Sequence, residues 1–595
     1  VFVIGVDLLS SESRAMKSVQ AILTDHRGGA SVRETIAQVY ERIRAWNDPA
    51  LFITLKDEAR ALEEAAVLDR AANRDLPLFG VPFVVKDNID VEGLPTTAAC
   101  PAFAYQPTRS ATVVQRLVDA GAIVIGKTNL DQFATGLVGV RSPYGVPRNA
   151  IRADLIPGGS SSGSASAVAA GLVPFSLGTD TAGSGRVPAA LQGLVGLKPS
   201  IGAFSMTGVV PACRSLDCVS VFARSVEDAR AVFEVASGYD PEDIYSRPLS
   251  SPAPTEWPPG LRVGVPRPQD RIFFGDQLAA AAYEAALRDL ARRGATLIEI
   301  DMTPLYETAR LLYEGPWVAE RYIVAGKLIS EHPDAVHPVT RAIIGGATRH
   351  DAASVFAATY RLMALKRTVA PLWTTIDVLA VPTIPTVYTR EQLEADPVTL
   401  NSNLGTYTNF VNLLDMAALA VPSVPRADGL PAGITMIAPA GRDGFLAGVG
   451  MAMEGTARPN HAKDPNLVEI AVVGAHMSGM PLNSQLTERG GTFLRSGTTR
   501  PDYRLYRLAG GDPGRPGLIR VEPGQGVAVA LEVWALPTEQ VGSFLALIPP
   551  PLGLGTLALA DGTTPKGFIC EADGARTGTD ISSFGGWRAY LASRE

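Results

Sequence analysis

The segment Pro157–Pro188, PGGSSSGSASAVAAGLVPFSLGTDTAGSGRVP, constrains this chain more than any other. Two short serine loops framed by glycines flank an apolar stretch. Small residues there leave room for another group to approach closely. Around this segment, helix-period and strand-period runs alternate. Ser31 to Asn73 is charged and helix-periodic, VVQRLVDAG is an amphipathic helix stopping at Gly121, and AIVIG is a buried strand. LRVGVPRP, a helix near Asp276 to Arg293, ATLIEID and the Pro-bounded VLAVPTIPTV continue the pattern, which predicts an α/β sheet domain.

At 595 residues the chain exceeds one ordinary core, since domains cluster at roughly 100 to 200 residues. We expect a large domain over 1–450, a polar, Pro-bearing linker over 451–466, and a smaller domain over 467–595. In the last of these, EIAVVGAHMSGM, YRLYRLAG, GLIRVEPGQGVAVALEVWAL and KGFICEA are short β-type runs, and PTEQVGSFLALI is periodic enough for one helix. This predicts a small β-rich or α+β domain.

A net charge of −7 supplies no basic field for a phosphate backbone, which argues against nucleic acid as a partner. Four cysteines in so long a chain make no disulfide framework, and Cys213 and Cys218 lack zinc-site spacing, so a reducing cytoplasm is expected. No stretch has the roughly 18 uncharged apolar residues of a spanning helix. The start, VFVIGVDLLSSESRAMK, lacks the basic region of a signal peptide, so neither secretion nor membrane insertion is expected; beginning on Val, it leaves open a missing natural N-terminus. AMKS has the look of a biotin attachment site but sits in helix-like sequence, and Lys17 reads as a solvated helix lysine.

A serine hydroxyl attacks a carbonyl only when a base takes its proton, and a lysine serves if burial keeps it neutral. Lys86 follows the apolar run VPFVV, which carries its stem inward, and opens KDN, whose polar groups can orient the amine. Ser184 lies between Gly183 and Gly185, where converging backbone N–H groups of Thr181, Ala182, Gly183 and Ser184 can hold an oxyanion. The GGSSSGS loop can place a bridging hydroxyl between Ser184 and Lys86. One competing pattern is G-x-S-x-G over Gly159–Gly163, which makes Ser161 the nucleophile. It requires a triad histidine, and none of His332, His337, His350, His461 and His476 has a triad context. In blander terms the loops are a flexible linker or a phosphate cradle, and Lys86 is a surface lysine ending an edge strand.

These residues resemble the amidase signature family, whose motif is a Gly-Gly-Ser-Ser loop followed by a GTD-x-x-GS loop. Ser160 and Ser184 are 24 positions apart, as in that family, and VPFVVKDN matches its lysine segment. TTAACPAF at Thr96, SPYGVPRN at Ser142, VGLKPSIGAFS at Val195 and GLPAGITMIAP at Gly429 extend the likeness over nearly the whole first domain. The resemblance implies a mixed β-sheet covered by helices, Lys86 as base, Ser160 as bridging serine after a cis peptide, and Ser184 as nucleophile. It implies amide hydrolysis with no metal or organic cofactor.

Substrate choice rests on further segments. In LLYEGPWVAERY, read as one helix, Tyr313 and Arg321 are eight residues apart, about two turns, hence on one face. Without a family match this reads as a packed helix with a salt-bridged arginine. The pair resembles the recognition residues of allophanate hydrolases, with Arg321 clamping a small carboxylate and Tyr313 supplying a hydroxyl. VVGAHMSGMPLNSQL, YRLYRLAG and GLIRV resemble the additional domain of that group, which looks like a γ-glutamylcyclotransferase fold. There His476 matches a histidine implicated in decarboxylating the first product, N-carboxycarbamate, although a lone histidine after a strand is more often structural. The group also implies a homodimer and a pairing with urea carboxylase. Competing readings are an amidase of another small amide, the amidase subunit of a glutamyl-tRNA amidotransferase, and a last domain that serves only dimerisation.

Overall fold

The computed structural model describes residues 16–249, 251–456, 466–510 and 514–594. The start of the chain with Ala15, His461, and residues 457–465 of the expected linker lie outside the described residues. The chain forms two compact units. The first comprises residues up to 249, 262–292 and 297–446, and the second 250–261, 293–296 and 447–595.

The first unit is built on an eleven-stranded mixed sheet. Its strands are β1 (Phe52–Leu55), β2 (Pro82–Lys86), β3 (Ile123–Thr128), β4 (Phe175–Asp180), β5 (Val195–Lys198), β6 (Cys218–Ala223), β7 (Arg262–Pro266), β8 (Thr296–Ile300), β9 (Val378–Pro382), β10 (Met416–Pro422) and β11 (Gly433–Pro439). Their order is β1-β3-β2-β4-β6-β5-β10-β11-β9-β7-β8. β2 runs parallel to β3 and β4, while β4, β6, β5, β10, β11 and β9 pair antiparallel in succession. Every residue of β2, β3 and β4 is buried, as continuous apolar runs require when helices cover both faces. The Thr112–Asp119 helix crosses from the segment after β2 to β3, and the Ser162–Ala169 helix leads into β4. Both serine loops and Lys86 therefore meet at the carboxyl ends of neighbouring strands β2 and β4.

Lys17 is solvated as expected, but it precedes a helix. Ser18 caps Val19–Arg27 through its hydroxyl, and Lys17 makes an exposed ion pair with Asp25 at 2.6 Å. The second unit carries a five-stranded sheet and a three-stranded sheet over a core that includes Val472, Leu505, Val533, Phe544 and Trp587. PTEQVGSFLALI is not one helix: it splits into a 3-10 turn, Thr538–Gln540, and a short helix, Val541–Leu545. No helix among the described residues is long and apolar enough to cross a membrane.

Candidate active site

Lys86 ends β2 fully buried, and its Nζ donates to Ser160 Oγ and to Thr179 Oγ1, both at 2.7 Å. Burial lowers its pKa to about 7, against the pull of Asp131, Asp217 and Asp180, which favour the charged form. The Gly159–Ser160 peptide is cis. Gly159 is obligatory at this turn, because a Cβ there would lie 2.1 Å from Asp131 Oδ2 and 2.5 Å from the Gly139 nitrogen. Asp131 spends its carboxylate on the N–H groups of Val138, Gly139 and Arg141, and its own N–H donates to Ser160 O at 3.0 Å. Ser161, the rival nucleophile, is tied to β4 instead. Its Oγ donates to Thr179 O at 3.1 Å and accepts from Thr179 N.

Ser184 is 3% exposed, and its hydroxyl makes no hydrogen bond within the described residues. The loop carrying it is fixed by Asp180 at the end of β4. Asp180 accepts from the N–H groups of Gly183 and Gly185 and from Arg186 Nε and Nη2, at 2.9 to 3.0 Å. Burial pushes the Asp180 pKa up, but Arg186, the Lys198 charge and the Gly185 N–H outweigh it and hold the carboxylate below its usual range. Gly183 adopts φ +133°, and a Cβ there would strike Thr408. The members of the expected oxyanion set differ in their partners. The Gly183 N–H is committed to Asp180, whereas those of Thr181, Ala182 and Ser184 have no acceptor among the described residues. Thr181 Oγ1 donates in a short hydrogen bond to Asp217, whose pKa burial raises to about 6.

Tyr313 and Arg321 do not share a helix. Gly315 and Pro316 end Thr303–Glu314 and a new helix starts at Val318, because proline cannot continue the hydrogen-bond ladder. The two side chains nevertheless meet, with the Arg321 guanidinium 5.8 Å from the Tyr313 ring centroid. Arg321 is buried. Its Nη1 donates to Ala134 O at 3.2 Å and Thr135 Oγ1 at 3.0 Å, while Nη2 has no partner. Burying a guanidinium nitrogen without a protein acceptor is costly, and an anion bound there offsets the cost.

In the second unit His476 stacks on Phe568 at 4.9 Å and meets Phe544 edge-on, with Nε2 2.9 Å from Gln485 Oε1. Burial lowers its pKa.

Sequence reasoning overlooked Thr179, Asp131, Asp180, Arg186 and Asp217. Asp180 and Arg186 stand inside the quoted GTDTAGSGR, where a charge of each sign amid glycines is a usable signal. Asp217 has none, since only the β4–β6 pairing brings it to Thr181.

A mixed α/β sheet with a buried lysine bridging to a serine between two glycine-rich loops defines the class: an α/β protein with a serine–lysine centre. The chain belongs to the amidase family, whose model matches residues 34–446. A second model, the allophanate hydrolase C-terminal domain, matches residues 468–592. The chain is 44% identical over 570 residues to urea amidolyase of Saccharomyces cerevisiae, covering 91% of this chain and 31% of that protein. It thus spans about a third of the urea amidolyases it matches. Allophanate hydrolase of Kluyveromyces lactis superposes with a TM-score of 0.81 at 43% identity, covering 98% of this chain and all of that one. A glutamyl-tRNA(Gln) amidotransferase subunit of Thermotoga maritima, at 27% identity and a TM-score of 0.61, covers 74% of this chain and 95% of its own.

Proposed function

We propose that this protein hydrolyses the terminal amide of allophanate. Neutral Lys86 takes a proton from Ser160 as Ser160 takes one from Ser184, and Ser184 Oγ attacks the carboxamide carbon. The oxyanion forms against the N–H groups of Thr181, Ala182 and Ser184. As the C–N bond breaks the relay returns the proton to the leaving nitrogen and ammonia departs; water then cleaves the acyl-enzyme through the same groups. N-carboxycarbamate leaves and decarboxylates to ammonia and carbon dioxide. The observation that carries this reading is the buried Lys86–Ser160 hydrogen bond, in a chain similar to an allophanate hydrolase over nearly its whole length.

Arg321 Nη2 binds the substrate carboxylate in this reading, with Tyr313 beside it; its lack of a protein partner supports that role. His476 acts in decarboxylation, in a C-terminal domain over 467–595 set off from the 1–450 amidase domain by 451–466. We propose further that the protein is a cytoplasmic homodimer working with a urea carboxylase, in keeping with its likeness to the urea amidolyases. A general amidase of another small amide and an amidotransferase subunit account less well for the 468–592 match.

Ammonia release from allophanate, compared with biuret, malonamate and glutamine, tests the substrate. We expect strong preference for allophanate, and a flat profile refutes it. Ser184→Ala is expected to abolish the release, and wild-type turnover in that variant would remove Ser184 as nucleophile.

A further inference from the structure

Two guanidinium groups converge on one residue beside the Ser160 loop. Thr135 Oγ1 accepts from Arg321 Nη1 at 3.0 Å, and Thr135 O accepts from Arg141 Nη1 at 3.0 Å. Arg141 is fully buried, and its Nη2 donates to Pro397 O at 2.7 Å. Among the described residues neither arginine is ion-paired, and Arg141 Nε and Arg321 Nη2 have no acceptor. The nearby Asp131 does not neutralise them through contact, because its oxygens are taken by three backbone N–H groups.

The Thr135 hydroxyl has a fixed sense. It donates to Phe133 O at 3.1 Å, so its lone pairs face Arg321. Phe133 and Ala134 both adopt left-handed backbone, at φ 53° and 51°, which turns Ala134 O toward the same Arg321 nitrogen. Arg141 closes the arrangement from behind: its side chain holds Thr135 O, while its backbone N–H and C=O bind Asp131 Oδ1 and the Gln132 N–H. With Nη1 held by two acceptors on one turn, the guanidinium plane is set and Nη2 is left over.

We propose that Thr135, held by Arg141, is a specificity-determining positioning residue that aims Arg321 Nη2 at the carboxylate of the substrate. The proposal rests on the reading that Arg321 binds that carboxylate. It follows that Thr135 acts on substrate binding and not on the Lys86–Ser160 relay, and that the positive charge of Arg141 behind it favours an anionic over a neutral amide.

The test is steady-state kinetics of the full chain on allophanate for Thr135→Val, Thr135→Ser, Arg321→Ala and the Thr135→Val/Arg321→Ala pair. Loss of one hydrogen bond to a charged group predicts a KM raised about tenfold in Thr135→Val with kcat and its pH profile kept. Thr135→Ser, which retains the hydroxyl, should restore KM. In the double variant KM should equal that of Arg321→Ala, because the threonine acts through the arginine. Should Thr135→Val not fold, Thr135→Ala is read the same way. A raised KM in Arg321→Ala with none in Thr135→Val overturns the positioning role alone, as do additive effects in the double variant or a fall in kcat. An unchanged KM in Arg321→Ala overturns the carboxylate reading and the proposal with it.

Discussion

At the scale of the residue, Lys86 decides what this site can do. A lysine in water is protonated at neutral pH and takes no proton from a serine. Burial brings its pKa to about 7, so a useful fraction is neutral, with Nζ 2.7 Å from both the Ser160 and Thr179 hydroxyls and its lone pair able to accept from Ser160. We therefore expect kcat/KM for allophanate to fall with acid through about pH 7 as Lys86 takes up its proton, and Lys86→Met to lower it by about 10²- to 10⁴-fold, the usual worth of a positioned base. The same shift has a stability sign. Between about 7 and the ordinary value of 10.5 the unfolded chain binds a proton that the folded chain does not, so this lysine's contribution improves as pH rises and its cost is complete below 7. Urea titrations should find Lys86→Met more stable than the wild type at pH 6.5, with the gain shrinking towards pH 10.

At the scale of the element, the loop after β4 depends on one buried ion pair. Asp180 and Arg186 are both fully buried, and Asp180 also gathers the Gly183 and Gly185 N–H groups, so the carboxylate shapes the loop that presents Ser184. Arg186→Met leaves that charge unpaired in the core, which is expected to cost about 3 to 5 kcal/mol in a urea unfolding curve and to lower ammonia release. Elements also show where local pattern reading stopped. The strand VPFVVK and the helix before Gly121 were legible from an apolar run and a stop signal, which are local properties, whereas FSLGTD, half polar, emerged as a strand only in the fold. The break between Tyr313 and Arg321 was written as Gly315-Pro316, but apolar spacing across it suggested continuity. That the two side chains still meet is a tertiary contact and not a product of helical periodicity.

At the scale of the whole molecule, the His476 environment bears on the decarboxylation proposed for the C-terminal domain. A histidine between two phenylalanines, with its pKa lowered by burial, is neutral near pH 7. If it serves decarboxylation, His476→Ala should leave the first ammonia release intact and slow carbon dioxide evolution; equal rates of both in variant and wild type would leave it a packing residue.

The sequence by itself determined the family and the α/β class and pointed to Lys86, Ser160 and Ser184, because these rest on short motifs or on local periodicity. Only the tertiary structure decided that Ser161 is locked to β4, that the Gly183 N–H is spent on Asp180, and that Thr135 and Arg141 stand behind Arg321. The reason is physical: burial and hydrogen-bond partners are set by contacts between segments distant in the chain, as with Arg321 and Thr135, 186 positions apart. No local pattern encodes them.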